Sequence, residues 1–578
     1  MILTAQARVV TARMRMSVNI VTGSLRKAAA AAFLIVAAMA IAFGGAVAQT
    51  PTPTPSDAMP VSPAPKIPVR PMPSSERVGV DASRQLSLTL PQAIEMALKN
   101  NNDIDASRNT SRISEFNIKA ALGIYDPLVT SENYYEKVTT PTASAIGGAV
   151  NGAVNQKRFY DSIGVSGLSP FQGGSYTSQF NASRVVTSNT NSFLNPQFPS
   201  TFTFSYVQPL LRNRRFDNSR RQIEISKKNL LLTDSQLQMK AMDVVSSTES
   251  AYWDLTYSLR NLQVQIETLK QAKDQLESNQ RLVAKGVLAP IDIVAATAQI
   301  TTLEQGVFAA QESVTRAENT LKTLLLPART AAEWSQPIVP VTPVNIDVPA
   351  IGLEVAVTEA LKNRPELTQM DIASDLNKID QRFYRDQMKP EIDFVGTYTS
   401  QGLAGTVTAA AISQVTGLSR VPPNLNGGYL NSLGNLIQQD YPTYHFGVTI
   451  SLPFGNHVAK ANLGAKLAEA DRIRDQREQQ EQSIEADVRN SLQALRSAQS
   501  KLTSAVDARA AAEELYESEQ RQFRGGTTTY FLVAQRQNDL LTARGREIQA
   551  RTDLNKAIST FNRAIGASLT VNNVTVVK

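Results

Sequence analysis

Apolar residues recur at alternating three- and four-residue steps through Ile293, Ala296, Ile300, Leu303, Val307, Ala310, Val314, Ala317, Leu321 and Leu324. An unbroken seam of this kind predicts a coiled-coil packing helix over 291–326, stopped by Pro327. The stretch from Leu211 to Lys285 contains no proline and reads as one longer helix, roughly 110 Å at the α-helical rise. Pro91–Leu122 is helical in pattern too, with Pro91 in the first turn, where proline is tolerated, and Asp126-Pro127 closing it. Laid end to end, 91–122 and 291–326 match the long helix, so a long helix folded back beside two stacked short ones is predicted. Looser seams follow in Val488, Leu492, Leu495, Ala498, Leu502, Ala505, Ala508, Ala512 and Leu515, and in Val533, Leu540, Ala543, Ala550, Leu554, Ala557, Phe561 and Ala564.

Between the helices the period falls to two. Phe202, Phe204 and Tyr206, and later Tyr444, Phe446, Val448 and Ile450, alternate with small or polar residues. Strands are predicted over Leu128–Lys137, Arg158–Gly167, Ser175–Thr187, Thr201–Gln208, Glu391–Ser400 and Thr443–Pro453. Alternation over about ten residues suits transmembrane β-strands, with a soluble half-buried sheet as the other reading. Segments 143–155, 189–199 and 401–442, rich in Gly, Asn, Ser and Thr, read as loops. Four to six strands cannot close a membrane barrel, and an open edge is not tolerated in lipid. Several chains must therefore share one barrel: three give twelve strands, or eighteen if all six segments cross.

The pattern occurs twice. Ala93-Ile94-Glu95-Met96-Ala97-Leu98-Lys99-Asn100 returns as Ala356-Val357-Thr358-Glu359-Ala360-Leu361-Lys362-Asn363, an offset of 263 that holds to Pro127/Pro390. Gly286, Ile300, Leu321 and Leu325 find Gly526, Leu540, Phe561 and Ile565 at an offset of 240. Two copies are too few for a solenoid and suit a ring or tube. The predicted fold is an α+β membrane protein: long α-helical barrel hairpins continuous with a transmembrane β-barrel shared between protomers, built from two internal repeats. The repeats are 86–326 and 350–567, joined by an equatorial linker at 327–349 and followed by a tail at 568–578.

Charge and composition remove other classes. Five of the seven net positive charges lie in residues 1–48, which carry no acid, leaving the rest near +2 and without a nucleic-acid footprint. Arg8, Arg13, Arg15, Arg26 and Lys27 precede an apolar run from Ala28 to Phe43, and Ala46-Val47-Ala48 offers a cleavage site. That is the layout of a secretory signal peptide; an uncleaved anchor is the other reading. Residues 49–85 begin with a proline-rich lead and read as disordered. Cysteine is absent, which excludes disulfides, thiolate nucleophiles and cysteine zinc sites. His445 and His457 are isolated, and neither a phosphate loop nor a Ser/His/Asp set can be assembled. No catalytic residue, cofactor or metal is expected, and the chain does not read as an enzyme.

Taken together these features resemble the outer membrane efflux protein family, the TolC-like channels, over about Leu86–Ala567. The resemblance rests on the paired Ala-x-x-x-Ala-Leu-Lys-Asn starts and the Pro127/Pro390 exits. Gln208-Pro209-Leu210-Leu211 and Ser451-Leu452-Pro453-Phe454 before the long helices add to it, as do the turns Lys285-Gly286 and Gly525-Gly526. It implies a homotrimer with a twelve-stranded barrel in the outer membrane of a Gram-negative cell and a helical tunnel across the periplasm. It further implies a belt formed by the linker and tail, and docking of a periplasmic adaptor and an inner-membrane pump at the tunnel tip. The implied role is the passive exit duct of a tripartite efflux or type I secretion system. A periplasmic adaptor, with one hairpin rather than two, and a structural coiled-coil envelope protein are the alternatives.

Lys285, Gly286, Val287, Arg524, Gly525 and Gly526 are the expected docking residues. The two reversing glycines serve either the turn alone, through positive φ, or also the close approach of adaptor helices. The resemblance gives Asp292 an acidic position near the tunnel constriction, where three copies would concentrate negative potential. The other reading of Asp292 is a carboxylate favoured by a helix N-terminus. Thr528 stands where a gating Arg can occur, and Leu532 and Gln535 where acids often do. The usual ionic lock is thereby put in question, with Arg524 left as a substitute cation.

Overall fold

A computed structural model describes residues 71–575, except positions 75, 82, 144, 150 and 345–350. The expected signal at 1–48 and most of the proline-rich lead lie outside the described residues, as do five linker positions, Ala350 and the last three residues. The chain begins with β1 (Leu86–Leu88), α1 (Leu90–Asn100) and α2 (Asn102–Leu122). Four strands follow: β2 (Leu128–Pro141), β3 (Ala153–Leu168), β4 (Ser175–Thr187) and β5 (Leu194–Pro209). Then come α3 (Asn218–Ala284), α4 (Pro290–Leu325) and, in the linker, β6 (Ile338–Pro340). The later part holds α5 (Leu353–Asn363), α6 (Pro365–Gln387), β7 (Glu391–Val407), α7 (Tyr429–Ile437) and β8 (Tyr441–Ser451). It ends with α8 (His457–Arg524), α9 (Tyr530–Ala564) and α10 (Ser568–Val571).

Two helices differ from expectation, each through an asparagine or aspartate. The helix expected over 91–122 is divided at Asn101, whose extended backbone (ψ 122°) ends α1. Its side chain then accepts from the Asp103 N–H at 2.9 Å and so caps α2. The long helix starts at Asn218 rather than Leu211. Asn213 has φ 63°, and Asp217 caps the helix by accepting from Arg220 N–H at 2.8 Å. The remaining 67 residues still extend roughly 100 Å.

The seam of α4 packs as its period requires. Ala296, Ile300, Leu303, Val307, Ala310, Val314 and Leu321 are buried against α3 and its neighbours, and Ile293, Ala317 and Leu324 half-buried. In α8 the seam is covered from Val488 to Ala498, but Ala508 and Leu515 are exposed in the single chain. Midway along the helices, Tyr252 and Trp253 meet edge to face at 5.4 Å in a core shared by α1, α3 and α4. The Tyr252 hydroxyl donates to Leu88 O at 3.0 Å and accepts from Thr342 N–H at 3.1 Å, tying in the parallel pair β1–β6. Glu318, almost wholly buried, accepts from Lys322 at 2.9 Å, from the Ile338 N–H at 3.1 Å and from Arg77. The described end of the lead thus lies on α3 and α4, where Lys273 also bonds Pro71 O and Gln311 bonds Ser74 O.

All six expected strands are present and form one antiparallel sheet in the order β2-β3-β4-β5-β7-β8. The resemblance implied four per chain, and the sheet has six, with β2 at one edge and β8 at the other. Register assigns every side chain to a face. One face carries Val129, Ile163, Val165, Tyr176, Phe180, Phe202, Phe204, Tyr206, Ile392, Phe394, Tyr398, Tyr444, Phe446, Val448 and Ile450. It is open to the surroundings, with Phe446 69 % exposed. The opposite face is polar: Ser205 meets Thr397 at 3.1 Å, and Tyr160 donates to Asn181 at 2.9 Å. Among the described residues, strands β2 and β8 are unpaired along their outer edges.

One buried carboxylate yields a test. Glu249 of α3 accepts from the Ser559 hydroxyl and from Asn572 Nδ2 at 2.9 Å, yet its burial raises its pKa above the ordinary 4.5. A raised folded-state pKa contributes stability below pH 4.5 that is lost as pH rises through the folded value. Glu249→Gln is expected to abolish this loss and to make the protein more stable than the unsubstituted chain at neutral pH. Urea unfolding followed by helical circular dichroism from pH 4 to 8 checks it; an unchanged slope counts against a penalised carboxylate.

Candidate functional site

Both long helices end in the same backbone device. At the end of α3, Gly286 N–H bonds Val283 O at 2.9 Å and Val287 N–H bonds Leu282 O at 3.0 Å. At the end of α8, Gly526 N–H bonds Phe523 O at 3.0 Å and Thr527 N–H bonds Gln522 O at 3.1 Å. These paired bonds are the Schellman closure, which needs a left-handed residue after the helix. Gly286 and Gly526 both supply it, at φ +74°. A Cβ on either would meet no atom within 4 Å. Conformation, not crowding within the chain, demands glycine there.

The two turns meet across a cleft of about 450 Å³. Val287, Asp292, Arg524, Gly526 and Thr528, all singled out by the sequence, line it together. Lys285, Gly286 and Gly525 lie in the turns themselves. Leu532 and Gln535 are exposed on α9 and do not line the cleft. Asp292 and Arg524 share the cleft without forming an ion pair among the described residues; Arg524 donates instead to Gln520 at 3.2 Å. Thr528 donates to Glu519 at 2.5 Å. A neutral bridge joins the hairpins one step further along, with Gln299 donating to Asn538 at 2.6 Å.

The floor of the cleft was not legible as a site. Tyr530, only 3 % exposed, belongs to the apolar cluster of Leu269, Leu276, Ala296, Ile300 and Leu303, and its ring meets Phe523 at 6.2 Å. Burial, with Tyr516 and Asp292 beside it, pushes its hydroxyl up to about 12. One residue of the second hairpin thereby plugs into the first. No periodic signal marks it, because the turn at Gly525-Gly526 separates Tyr530 from the helix that carries Tyr516 and Phe523. A larger cleft nearer the middle, about 610 Å³, is lined by Arg260, Arg509, Arg544 and Arg551. Glu513 and Glu547 already pair with its arginines, at 2.7 Å for Arg544–Glu513 and 2.8 Å for Arg551–Glu547.

This combination of helical hairpins and a sheet is the fold of outer-membrane channels. It matches the outer-membrane channel OprN at 18% identity and a TM-score of 0.57, over 88% of this chain and 99% of that one. The Campylobacter jejuni CmeC outer membrane channel matches at 14% and 0.58, over 83% and 86% of the two chains. The open state of the Neisseria gonorrhoeae MtrE outer membrane channel matches at 16% and 0.54, over 87% and 98%. No curated protein sequence matches the chain. The sequence profile described as outer membrane efflux protein matches residues 177–325 and 356–567, well over half of the chain. The chain belongs to the outer membrane efflux protein family, and its seat is the outer membrane.

Because φ alone demands glycine, Gly286→Ala and Gly526→Ala are each expected to weaken the local turn by about 1 kcal/mol. Asn, which tolerates the left-handed region, should restore part of that. Amide exchange of residues 279–287 and 519–527 reads the effect; equal protection in the Ala and Gly forms would count against the closure as the stabilising element.

Proposed function

We propose that the protein is the passive exit duct of a tripartite efflux or type I secretion system. In this reading it is a homotrimer whose sheets join edge to edge as one β-barrel in the outer membrane, continued by an α-helical tunnel in the periplasm. One observation carries it: a sheet apolar on one face across six strands, with two unpaired edges, attached to helices of 67 and 68 residues. In lipid both edges must be paired. A second copy offers the complementary edge, β8 against β2. Three copies give eighteen strands, a ring about half again as wide as one of twelve.

The order of helices, strands, long helix and helix recurs after the linker, and supports the reading of two repeats with 327–349 and the tail as a belt. Lys285, Gly286, Val287, Arg524, Gly525 and Gly526 would receive a periplasmic adaptor, which brings an inner-membrane pump; the open space above both glycines favours close helix approach. Asp292, Thr528, Leu532 and Gln535 would line the constriction, with Asp292 repeated about the threefold axis as its negative ring. Transport through such a duct needs no catalytic residue or cofactor.

Reconstituted in a planar bilayer, the protein is expected to conduct ions; absence of conductance sinks the duct. Asp292→Asn is expected to reduce cation preference and block by multivalent cations, and unchanged selectivity removes Asp292 from the constriction. Electron microscopy of the barrel in nanodiscs counts the wall directly. Eighteen strands are expected, and twelve would put β2 and β3 outside it.

A further inference from the structure

One short helix has its polarity reversed. α7, between β7 and β8, turns Ser432 and Asn435 inward, whereas Leu430 is 79 % and Ile437 75 % exposed. The inward side is fastened to the sheet. The hydroxyls of Ser432 and Ser200 lie 2.7 Å apart, Ser400 donates to Leu436 O at 2.7 Å, and Asn435 Nδ2 donates to Leu403 O at 2.8 Å. Gly402 makes the approach possible, because a Cβ there would collide with the Ser432 carbonyl oxygen. A helix on a water-facing surface carries the opposite arrangement, with its apolar stripe turned to the protein.

Its location explains the reversal. Ser200, Ser400 and Gly402 fall by register on the same face as Phe202, Phe204, Tyr398 and Phe446, so α7 lies on the apolar face of the sheet. Gly402, Ser200, Ala182, Asp161 and Asn133 form one row across five strands. From Ile392 and Ile450 up to that row, this face carries no charged residue; Asp161 is the first, and Lys157, Arg184 and Lys137 follow above it. Ile392 to Gly402 covers roughly 33 Å of strand. At a tilt of about 40° that is about 25 Å of height, the height of the apolar band of a membrane barrel. The helix therefore sits at the rim of the band, where the first charges begin.

We propose that α7 is an interfacial membrane helix, lying flat at the outer rim of the lipid-facing wall with Leu430 and Ile437 among acyl chains. It is too short to cross, and among the described residues no helix is long and apolar enough to do so. Its polar side needs no water because the strands satisfy it, and its apolar side needs no protein because lipid covers it. The inference rests on the six strands being a lipid-facing barrel wall.

The absence of cysteine permits a direct test. Leu430→Cys, Ile437→Cys, Phe446→Cys and Thr416→Cys each take one nitroxide label on the full protein in phosphatidylcholine vesicles. Power saturation then compares collision with oxygen, which concentrates in lipid, and with a water-soluble nickel chelate. The oxygen-to-nickel ratio at 430 and 437 is expected to be several-fold higher than at 416 and to match 446. Adding Gly402→Val should release the helix and bring 430 and 437 down to the ratio at 416, with 446 unchanged. Water-like ratios at 430 and 437 beside a lipid-like 446 overturn the interfacial helix and leave the barrel standing. So does shielding of both labels from both reagents, which means a neighbouring copy or another protein covers them. A water-like 446 overturns the barrel wall itself, and the inference with it.

Discussion

Hydrocarbon offers no water to an unpaired peptide group, and that constraint governs this chain from end to end. Its strands complete five ladders and leave β2 and β8 with bare outer edges. A sheet with a band of aromatic and aliphatic side chains across one face is unstable in water, and with two bare edges it is unstable alone in lipid. In the proposed trimer lipid covers the apolar face and neighbouring copies complete both edges. The helices answer a related problem in water. A helix of 67 residues cannot hide its flanks against a single partner. In α8 the exposed Ala508 and Leu515 are where its own chain runs out of cover.

Periodicity carried the large features of the sequence, and local exceptions were hidden from it. The seam from Ile293 to Leu324 defined α4 nearly to the residue, and alternation through Tyr444, Phe446 and Val448 defined β8. The break at Asn101 escaped notice because apolar spacing continues through it while only the backbone turns aside. Absence of proline between 211 and 217 reads as helix, although Asn213 and Asp217 are turn and cap residues. α7 reads as loop because 401–442 is rich in Gly, Asn, Ser and Thr, a composition that masks nine residues of amphipathic helix. Its seat was concealed too, since Gly402 and Ala404 end the bulky alternation of β7 before the strand itself ends.

At the tip, the candidate site divides in the same manner. The glycines were legible because positive φ leaves few choices of residue. The cleft between the turns was not, because it is made by residues some 240 positions apart in the chain, such as Val287 and Thr528. Tyr530 shows the difference most plainly. In sequence it is one aromatic near a helix start, and in space it is the second hairpin's peg in the core of the first. The two hairpins share a turn, but their association depends on side chains that only one of them has.

The joints at Asn101 and Arg364 also have a mechanical meaning. α3 and α8 run unbroken from the foot of the sheet to the tip, while the helices beside them are divided into α1, α2 and α4, and into α5, α6 and α9. Each hairpin therefore pairs a continuous shaft with a segmented one. A torque applied near Gly286 or Gly526 can pass along each shaft without interruption to the sheet end, whereas along the segmented partners it must cross joints held by side-chain bonds, Asn101 donating to Leu324 O at 3.4 Å and Arg364 to Asp487 at 3.0 Å.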